Sequence, residues 1–240
     1  MNRLDPPPGA VLMVAKAPVP GQAKTRLAAD IGADAAAEVA ACALLDLVDV
    51  VRAARARLVV ALSGGLAGAA RGAEVEAALA GADVFAQRGD GFADRLAAAH
   101  ADAHRLLIAA GRPVPVLQVG MDTPQLSVRL LSESLRTAAA HDAVLGPAED
   151  GGWWGLAVGD PRWAEGLRGV PMSRADTGEL TLRALRVAGA EVAMLPRLRD
   201  VDTWSDALAV ARLAPRGRFA AAVRAARPVD RPRTLRGSGC

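Results

Sequence analysis

The chain has 240 residues, of which 52% are hydrophobic and 3% aromatic, and a formal net charge of +3. Residues 215–240 hold seven arginines and one aspartate, which leaves residues 1–214 with a net charge of −3. This distribution excludes a body that binds nucleic acid, because such domains are basic over the surface that meets the phosphates.

The cysteine and hydropathy patterns favour the cytoplasm. Cys42 lies in an alanine-rich stretch and Cys240 is the last residue, so neither has metal-ligand spacing and no disulfide framework exists. The apolar run at residues 10–15 is too short for a signal-peptide core, and no run reaches membrane-spanning length. We therefore expect a cytoplasmic protein without a membrane span.

Short apolar runs alternate with segments of helical periodicity along the chain. Strands are predicted at residues 10–15, 58–62, 83–86, 113–119, 143–146, 154–158 and 191–195. Helices are predicted from Thr25 or Asp34 to about residue 55, and at residues 66–80, 91–109, 125–140, 173–188 and 203–213. Asp90 and a capping box at residues 173–176 are predicted to open two of these helices.

This alternation predicts an α/β fold, in which helices cover both faces of a Rossmann-like, mostly parallel sheet. No repeat or linker divides the chain, so one domain is expected over residues 10–213. Residues 1–9, with three consecutive prolines, are predicted to be an extended lead-in. Residues 214–240 are predicted to be an arginine-rich, flexible tail.

The first loop contains both lysines of the chain, Lys16 and Lys24, together with Gly21 and Arg26. Fixed cations and the backbone amides of a helix start form an anion site, and this loop follows the first strand. Its spacing matches neither the P-loop nor the dinucleotide-binding fingerprint. We interpret it as a phosphate-binding loop, with a basic surface loop as the alternative.

A second loop, after the third strand, contains Gln87, Gly89 and Asp90. The start of a helix beside an arginine could hold a phosphate, and the Gln87 amide could read the edge of a base. A helix cap with a turn explains the same residues equally well.

The predicted strand at residues 113–119 runs into a glycine, and Asp122 and Pro124 follow. In open α/β sheets, ligands bind outside the carboxyl ends of the strands. A carboxylate at this position suits a hard cation that carries phosphate oxygens on its other side. The alternative is a cap on the helix that is predicted to begin near Gln125.

A loop at residues 146–154 brings together two acids and two tryptophans, with two adjacent glycines between them. Its candidate ligand-binding residues are Glu149, Asp150, Gly151, Gly152 and Trp153. Glycine allows a ligand close to the backbone, and an indole offers a stacking face to a sugar or a base. The alternative is a β-turn with a buried tryptophan.

Asp202 follows the last strand and could hold one cation jointly with Asp122, although Asp202 or Thr203 could instead cap the next helix. His100 and His104 share a helix face, as metal ligands can. No third ligand is near them in the sequence, so they are interpreted as helix-surface histidines.

Taken in order, these segments resemble the GT-A-type nucleotide-diphospho-sugar transferase superfamily. The branch most similar to them is the "selenodomain-associated transferase" group, which carries a glycosyltransferase label, and the first loop also resembles that of phospholactate guanylyltransferases. Residues 121–124, Met-Asp-Thr-Pro, stand for the superfamily's Ser-Asp-x-Pro, and Trp153 replaces the tyrosine of an Asp-Gly-Gly-Tyr motif. The Gly-x-Gly-x-Arg loop of many sugar nucleotidyltransferases is missing.

The resemblance implies a Mg²⁺ or Mn²⁺ ion at Asp122 and Asp202, with Lys24, Arg26 and Asp122 as catalytic residues. It implies a nucleoside triphosphate or a nucleotide-sugar as substrate and a small-molecule acceptor, and a homodimer is compatible with it. The substrate-binding candidates are Lys16, Gly21, Gln87, Gly89, Asp90 and the five residues of the 146–154 loop.

Two reactions compete at such a site. Nucleotidyl transfer from a triphosphate to a phosphorylated or carboxylate acceptor, with release of pyrophosphate, suits the basic first loop. Glycosyl transfer from a nucleotide-sugar suits the acidic loop with its indoles. The third hypothesis is a nucleotide-binding protein without turnover.

Overall fold

The computed structural model describes residues 8–229. Its strands, β1 to β7, are Ala10–Lys16, Arg57–Ser63, Asp83–Ala86, Val116–Gly120, Ala143–Pro147, Trp153–Val158 and Val192–Met194. Its helices, α1 to α9, are Thr25–Ile31, Ala33–Ala53, Gly72–Leu79, Phe92–Ala109, Val128–Ala138, Pro161–Ala164, Thr177–Val187, Trp204–Leu213 and Arg218–Ala225. A 3₁₀-helix, Glu165–Gly169, follows α6.

The strands form one sheet in the order β3-β2-β1-β4-β6-β5-β7. Strand β6 is antiparallel to β4 and β5, whereas the other neighbours pair in parallel. The predicted α/β class with a mostly parallel sheet is therefore confirmed. The chain turns from one half of the sheet to the other between β1 and β4, and ligands bind at such a switch point.

Both faces of the sheet are covered, which explains the unbroken apolar run of β1. Val11 and Met13 pack into a core with α2, α3 and α5. Ala10 and Leu12 pack on the opposite face against α4. Successive side chains of a strand point to opposite faces, so burial on both sides leaves no polar position in the middle of β1.

The first predicted helix is divided in two at Gly32. This glycine ends α1 and begins α2 with φ 84° and ψ 159°, a conformation that a residue with a side chain rarely adopts. Helical periodicity continues on both sides of this break, so the apolar pattern of the sequence does not reveal it.

The predicted starts of α3, α5 and α7 are also wrong, and the predicted cap of α4 is not formed; α3 begins at Gly72 and not at residue 66. Helix α5 begins at Val128, where Ser127 accepts a hydrogen bond of 3.1 Å from the Leu130 N–H. Helix α4 begins after Gly91 and α7 after Asp176, in both cases without a side-chain cap. Asp90 therefore caps no helix, and the predicted capping box at residues 173–176 is not formed.

The flexible tail predicted from residue 214 is contradicted where the structure describes it. Helix α9 lies within this segment and packs Phe219 and Val223 into a core with α2 and α8. Asp46 of α2 accepts hydrogen bonds from the backbone N–H groups of Arg218 (3.0 Å) and Phe219 (2.9 Å), so it caps α9 from another helix. The prediction failed because the many arginines of this segment obscure the helical spacing of its apolar residues. Residues 1–7, the predicted lead-in, and residues 230–240 lie outside the described residues.

His100 and His104 are buried, so their interpretation as surface histidines is wrong. Both lie on the face of α4 that covers the sheet, and Gln118 of β4 is buried there as well. Burial, followed by the nearby His104, lowers the pKa of His100 to about 3, whereas the Gln118 side chain acts in the opposite direction. His100 is therefore neutral in the folded protein near pH 7.

Among the described residues, no helix is long and apolar enough to cross a membrane.

Candidate active site

The central contact of the site joins the first loop to the carboxyl end of β4. Lys24 donates from Nζ to Asp122 Oδ2 at 3.0 Å and to the backbone oxygen of Val201 at 2.5 Å. The Lys24 side chain is 14% exposed and that of Asp122 is 35% exposed. The ammonium therefore lies between two oxygens that belong to different segments of the chain.

Lys24 holds an unusual backbone conformation, with φ 49° and ψ 49°, directly before α1. This left-handed region is costly for a residue with a Cβ, on the order of 1–2 kcal/mol. The loop that leads to Lys24 contains a turn in which the N–H groups of Gln22 and Ala23 both donate to the Val19 oxygen. Gly21 lies exposed at the tip of this turn.

Asp122 is not a helix cap, because α5 begins at Val128. Its backbone oxygen accepts a hydrogen bond of 2.9 Å from the Val201 N–H, which attaches the segment after β7 to the end of β4. Met121 is buried, and its sulfur lies 3.4 Å from the Lys16 backbone nitrogen, which donates to it. Methionine therefore contacts β1 at the position where the superfamily motif has serine.

Asp202 is likewise free of a capping role. Thr203 caps α8 and forms a capping box with Asp206, so the helix start is satisfied without Asp202. The Asp202 carboxylate instead accepts a hydrogen bond of 2.6 Å from Arg26 Nη1. The structure thus brings Lys24, Arg26, Asp122 and Asp202 to the same edge of the sheet.

Asp200, which was not among the site residues predicted from the sequence, is a further acid whose carboxyl group is affected by Asp122. Burial, followed by the charges of Asp150 and Asp122, raises the pKa of Asp200 to about 6. Leu198 bridges to Ala148 beside the β5–β6 turn, and this brings the stretch that follows close to the acidic loop. The spacing to Asp202 was a usable signal, because alternate residues of an extended segment point to the same side.

Gln87 is placed at the carboxyl ends of β1 and β2. Its Nε2 donates to the backbone oxygens of Ala15 and Ala61, both at 2.9 Å, so its amide group extends the sheet hydrogen bonding. Gly89 packs against α4, since a Cβ there would lie 2.7 Å from the Asp94 Cβ. Asp90 is exposed and makes no ion pair within residues 8–229.

The β5–β6 turn is shaped by contacts within the protein. A Cβ at Gly151, which has φ 90°, would lie 1.9 Å from the backbone oxygen of Ala175. The Gly152 N–H donates to Asp150 Oδ1 at 2.8 Å, which closes the turn. Packing against Ala175 therefore requires a glycine at position 151, whereas an added Cβ at Gly152 would meet only the side chain of Asp150.

The side chains of this turn have different environments. Trp154 is buried and donates from Nε1 to the Pro196 oxygen at 2.9 Å, and Trp153 is partly buried against the core beside α7. Glu149 pairs with Arg199 at 2.6 Å. Asp150 is exposed, and its charge is among those that raise the pKa of Asp200.

The chain matches, over residues 45–174, the family described as an uncharacterized protein conserved in bacteria (DUF2064). It belongs to this family. No curated protein matches the sequence.

Solved structures share the fold of this DUF2064 protein. A "putative nucleotide-diphospho-sugar transferase" from Desulfovibrio desulfuricans G20 is 27% identical, with a TM-score of 0.79, and the match covers 91% of this chain and 95% of that one. The manganese complex of Rv0371c from Mycobacterium tuberculosis H37Rv is 22% identical, with a TM-score of 0.50 and coverages of 84% and 97%. A 4-diphosphocytidyl-2C-methyl-D-erythritol synthase is 15% identical, with a TM-score of 0.51 and coverages of 85% and 98%.

The last two likenesses, at these identities, concern the fold alone. Together with the first they show that this DUF2064 protein has the nucleotide-diphospho-sugar transferase fold, as the sequence resemblance implied.

Proposed function

We propose that the protein is a divalent-metal-dependent transferase that acts on a nucleotide. The reaction that we favour is nucleotidyl transfer from a nucleoside triphosphate to a small phosphorylated or carboxylate acceptor. The observation that carries this proposal is the convergence of Lys24 and Arg26 with Asp122 and Asp202 at the switch point of the sheet. Two cations beside two acids suit a polyphosphate together with its metal.

The oxygens of this edge fit a hard cation such as Mg²⁺ or Mn²⁺. Asp122 and Asp202 would hold it, and the ammonium of Lys24 already binds two oxygens there as a stand-in cation. Residues 8–229 contain no group of three or more histidine, cysteine, aspartate or glutamate side chains placed to hold a metal ion. Mg²⁺ sites commonly have only one or two protein carboxylates, and water and substrate phosphates complete the coordination.

When bound, such a metal supplies charge neutralisation to the phosphates. An acceptor oxygen would bond to the α-phosphorus, while the bond from that phosphorus to the bridging oxygen breaks and pyrophosphate leaves with its electron pair. Lys24 and Arg26 would hold the charge of the departing pyrophosphate. Lys16 is exposed at the end of β1, without an ion-pair partner in the described part of the chain, and could hold a further phosphate oxygen.

Glycosyl transfer from a nucleotide-sugar is the second candidate. It is favoured by the name of the neighbour from Desulfovibrio desulfuricans G20 and by the exposed carboxylate of Asp150 near Asp200. In that reaction the same cations would hold the departing nucleoside diphosphate. A binding protein without turnover is the remaining hypothesis, and the retained acids and cations argue against it.

The test is a panel of the four nucleoside triphosphates and common nucleotide-sugars, each with and without Mg²⁺ or Mn²⁺. Thermal shift identifies the ligand, because saturation at a hundred times its dissociation constant adds about 2.7 kcal/mol of stability. Release of pyrophosphate from that ligand, once candidate acceptors are added, supports nucleotidyl transfer. Hydrolysis of a nucleotide-sugar would support the second candidate, and metal-independent binding without turnover would contradict both.

A further inference from the structure

We infer that Lys24 is an exchangeable internal cation, which holds Asp122 in the absence of metal and must leave it when a divalent ion binds. This inference rests on the proposed function, since it concerns the same metal. Lys24 would thus oppose the binding of free metal to Asp122, in addition to binding a phosphate group of the substrate.

The ammonium group of Lys24 lies between two oxygen atoms. Lys24 Nζ contacts Asp122 Oδ2 at 3.0 Å and the Val201 oxygen at 2.5 Å. These are oxygen ligands of the kind that Mg²⁺ and Mn²⁺ prefer. A divalent ion that binds Asp122 Oδ2 would therefore compete directly with the ammonium for this oxygen.

The contact between Lys24 and Asp122 is partly buried. With 14% of its side chain exposed, Lys24 is largely shielded from water, so its pairing with Asp122 is screened less than a surface ion pair. Displacement from Asp122 by a metal would leave the ammonium without a carboxylate partner, with only the Val201 oxygen to accept from it. Metal alone should consequently bind weakly.

A phosphate group would offset the cost of separating Lys24 from Asp122. Lys24 lies at the start of α1 in a left-handed backbone conformation, at the end of a loop whose tip is exposed. A polyphosphate beside this loop offers the ammonium a new anionic partner as the metal takes Asp122. Phosphate and metal should then strengthen each other's binding, and this coupling must be reciprocal.

Arg26 does not duplicate this arrangement. Its guanidinium pairs with Asp202, and its side chain is 73% exposed, so it can turn into solvent without leaving a charge in a shielded place. The inference therefore concerns Lys24 specifically.

The experiment measures Mn²⁺ affinity by calorimetry and by electron paramagnetic resonance, first with Mn²⁺ alone and then with inorganic pyrophosphate. The variants are Lys24→Met and Lys24→Gln, and the control is Arg136→Met, which removes one exposed positive charge from the last turn of α5, away from Asp122. Circular dichroism and thermal unfolding check that each variant is folded.

We expect both Lys24 variants to bind Mn²⁺ alone about tenfold more tightly than the wild type, which is an ordinary coupling magnitude. The Arg136 variant should stay within about twofold, because a charge at the far end of α5 is screened by solvent. Pyrophosphate should raise the Mn²⁺ affinity of the wild type and have a smaller effect in the Lys24 variants.

Equal or weaker Mn²⁺ binding by folded Lys24 variants would overturn the inference and leave the proposed function standing, provided that the wild type binds Mn²⁺ with pyrophosphate. If the wild type binds no Mn²⁺ under either condition, the metal assignment of the proposed function fails and the inference fails with it.

Discussion

The backbone N–H of Val201 donates a hydrogen bond of 2.9 Å to the backbone oxygen of Asp122. This bond joins the end of the central strand β4 to the segment between β7 and α8. It explains why acids from two distant parts of the sequence meet, and it places Asp200 and Asp202 on either side of a buried valine beside Asp122.

The first prediction compares the contributions of Asp122 and Asp200 to metal binding. Asp122→Asn should abolish metal-dependent nucleotide binding, and Asp200→Asn should weaken it by about tenfold or more, in the range found for residues that support a metal site. Titration calorimetry with Mn²⁺ and the triphosphate that the panel identifies would measure both. Glu133→Gln, which alters an exposed ion pair on α5, is the control. Unchanged affinity in Asp122→Asn would refute the metal assignment.

The second prediction concerns pH. The pKa of His100 is about 3 in the folded protein and near 6.5 when unfolded, so the unfolded state binds the proton first as the pH falls. Stability is therefore full above pH 6.5 and is lost progressively toward pH 3, with a contribution of at most about 1.4 kcal/mol per pH unit from this group. Urea unfolding between pH 7 and pH 5 would measure the slope.

His100→Leu should reduce this slope, because the titrating group is removed. His141→Leu is the control, since His141 is partly exposed and bonds to the Thr137 oxygen at the end of α5. An identical slope in the wild type and His100→Leu would show that His100 is not buried in the neutral form.

The third prediction concerns α9. Asp46→Ala removes the carboxylate that accepts from the first two N–H groups of this helix, and should lower the free energy of unfolding by about 1–2 kcal/mol, as for the loss of an N-cap. Asp49→Ala removes an exposed partner of Arg218 and should cost less than about 1 kcal/mol. Chemical denaturation compares the two, and equal effects would indicate that α9 is not docked through Asp46.

The fourth prediction concerns the β5–β6 turn. Gly151→Ala forces a Cβ against the Ala175 oxygen at a positive φ, so we expect a loss of stability above about 2 kcal/mol. Gly65→Ala is the control, because a Cβ at that exposed position meets no atom within 4 Å. A stable Gly151→Ala variant with impaired ligand binding would indicate instead that Gly151 contacts the ligand.

The sequence by itself determined the alternation of strands and helices, because burial on both faces leaves unbroken apolar runs such as residues 10–15. It also identified Asp122 and the basic first loop as candidates, since both follow strands that end at the same edge. These inferences depend on local pattern and on one general rule of sheet topology.

Other features were decided by tertiary structure. The pairing of Lys24 with Asp122, the capping of α9 by Asp46 and the burial of His100 against Gln118 each join segments that are distant in the sequence. Local periodicity contains no information on such contacts, because they depend on the order of the strands and on which helix face meets the sheet. For the same reason the environment of Asp200, whose pKa is raised by burial and by the charges of Asp150 and Asp122, was decided only by the tertiary structure.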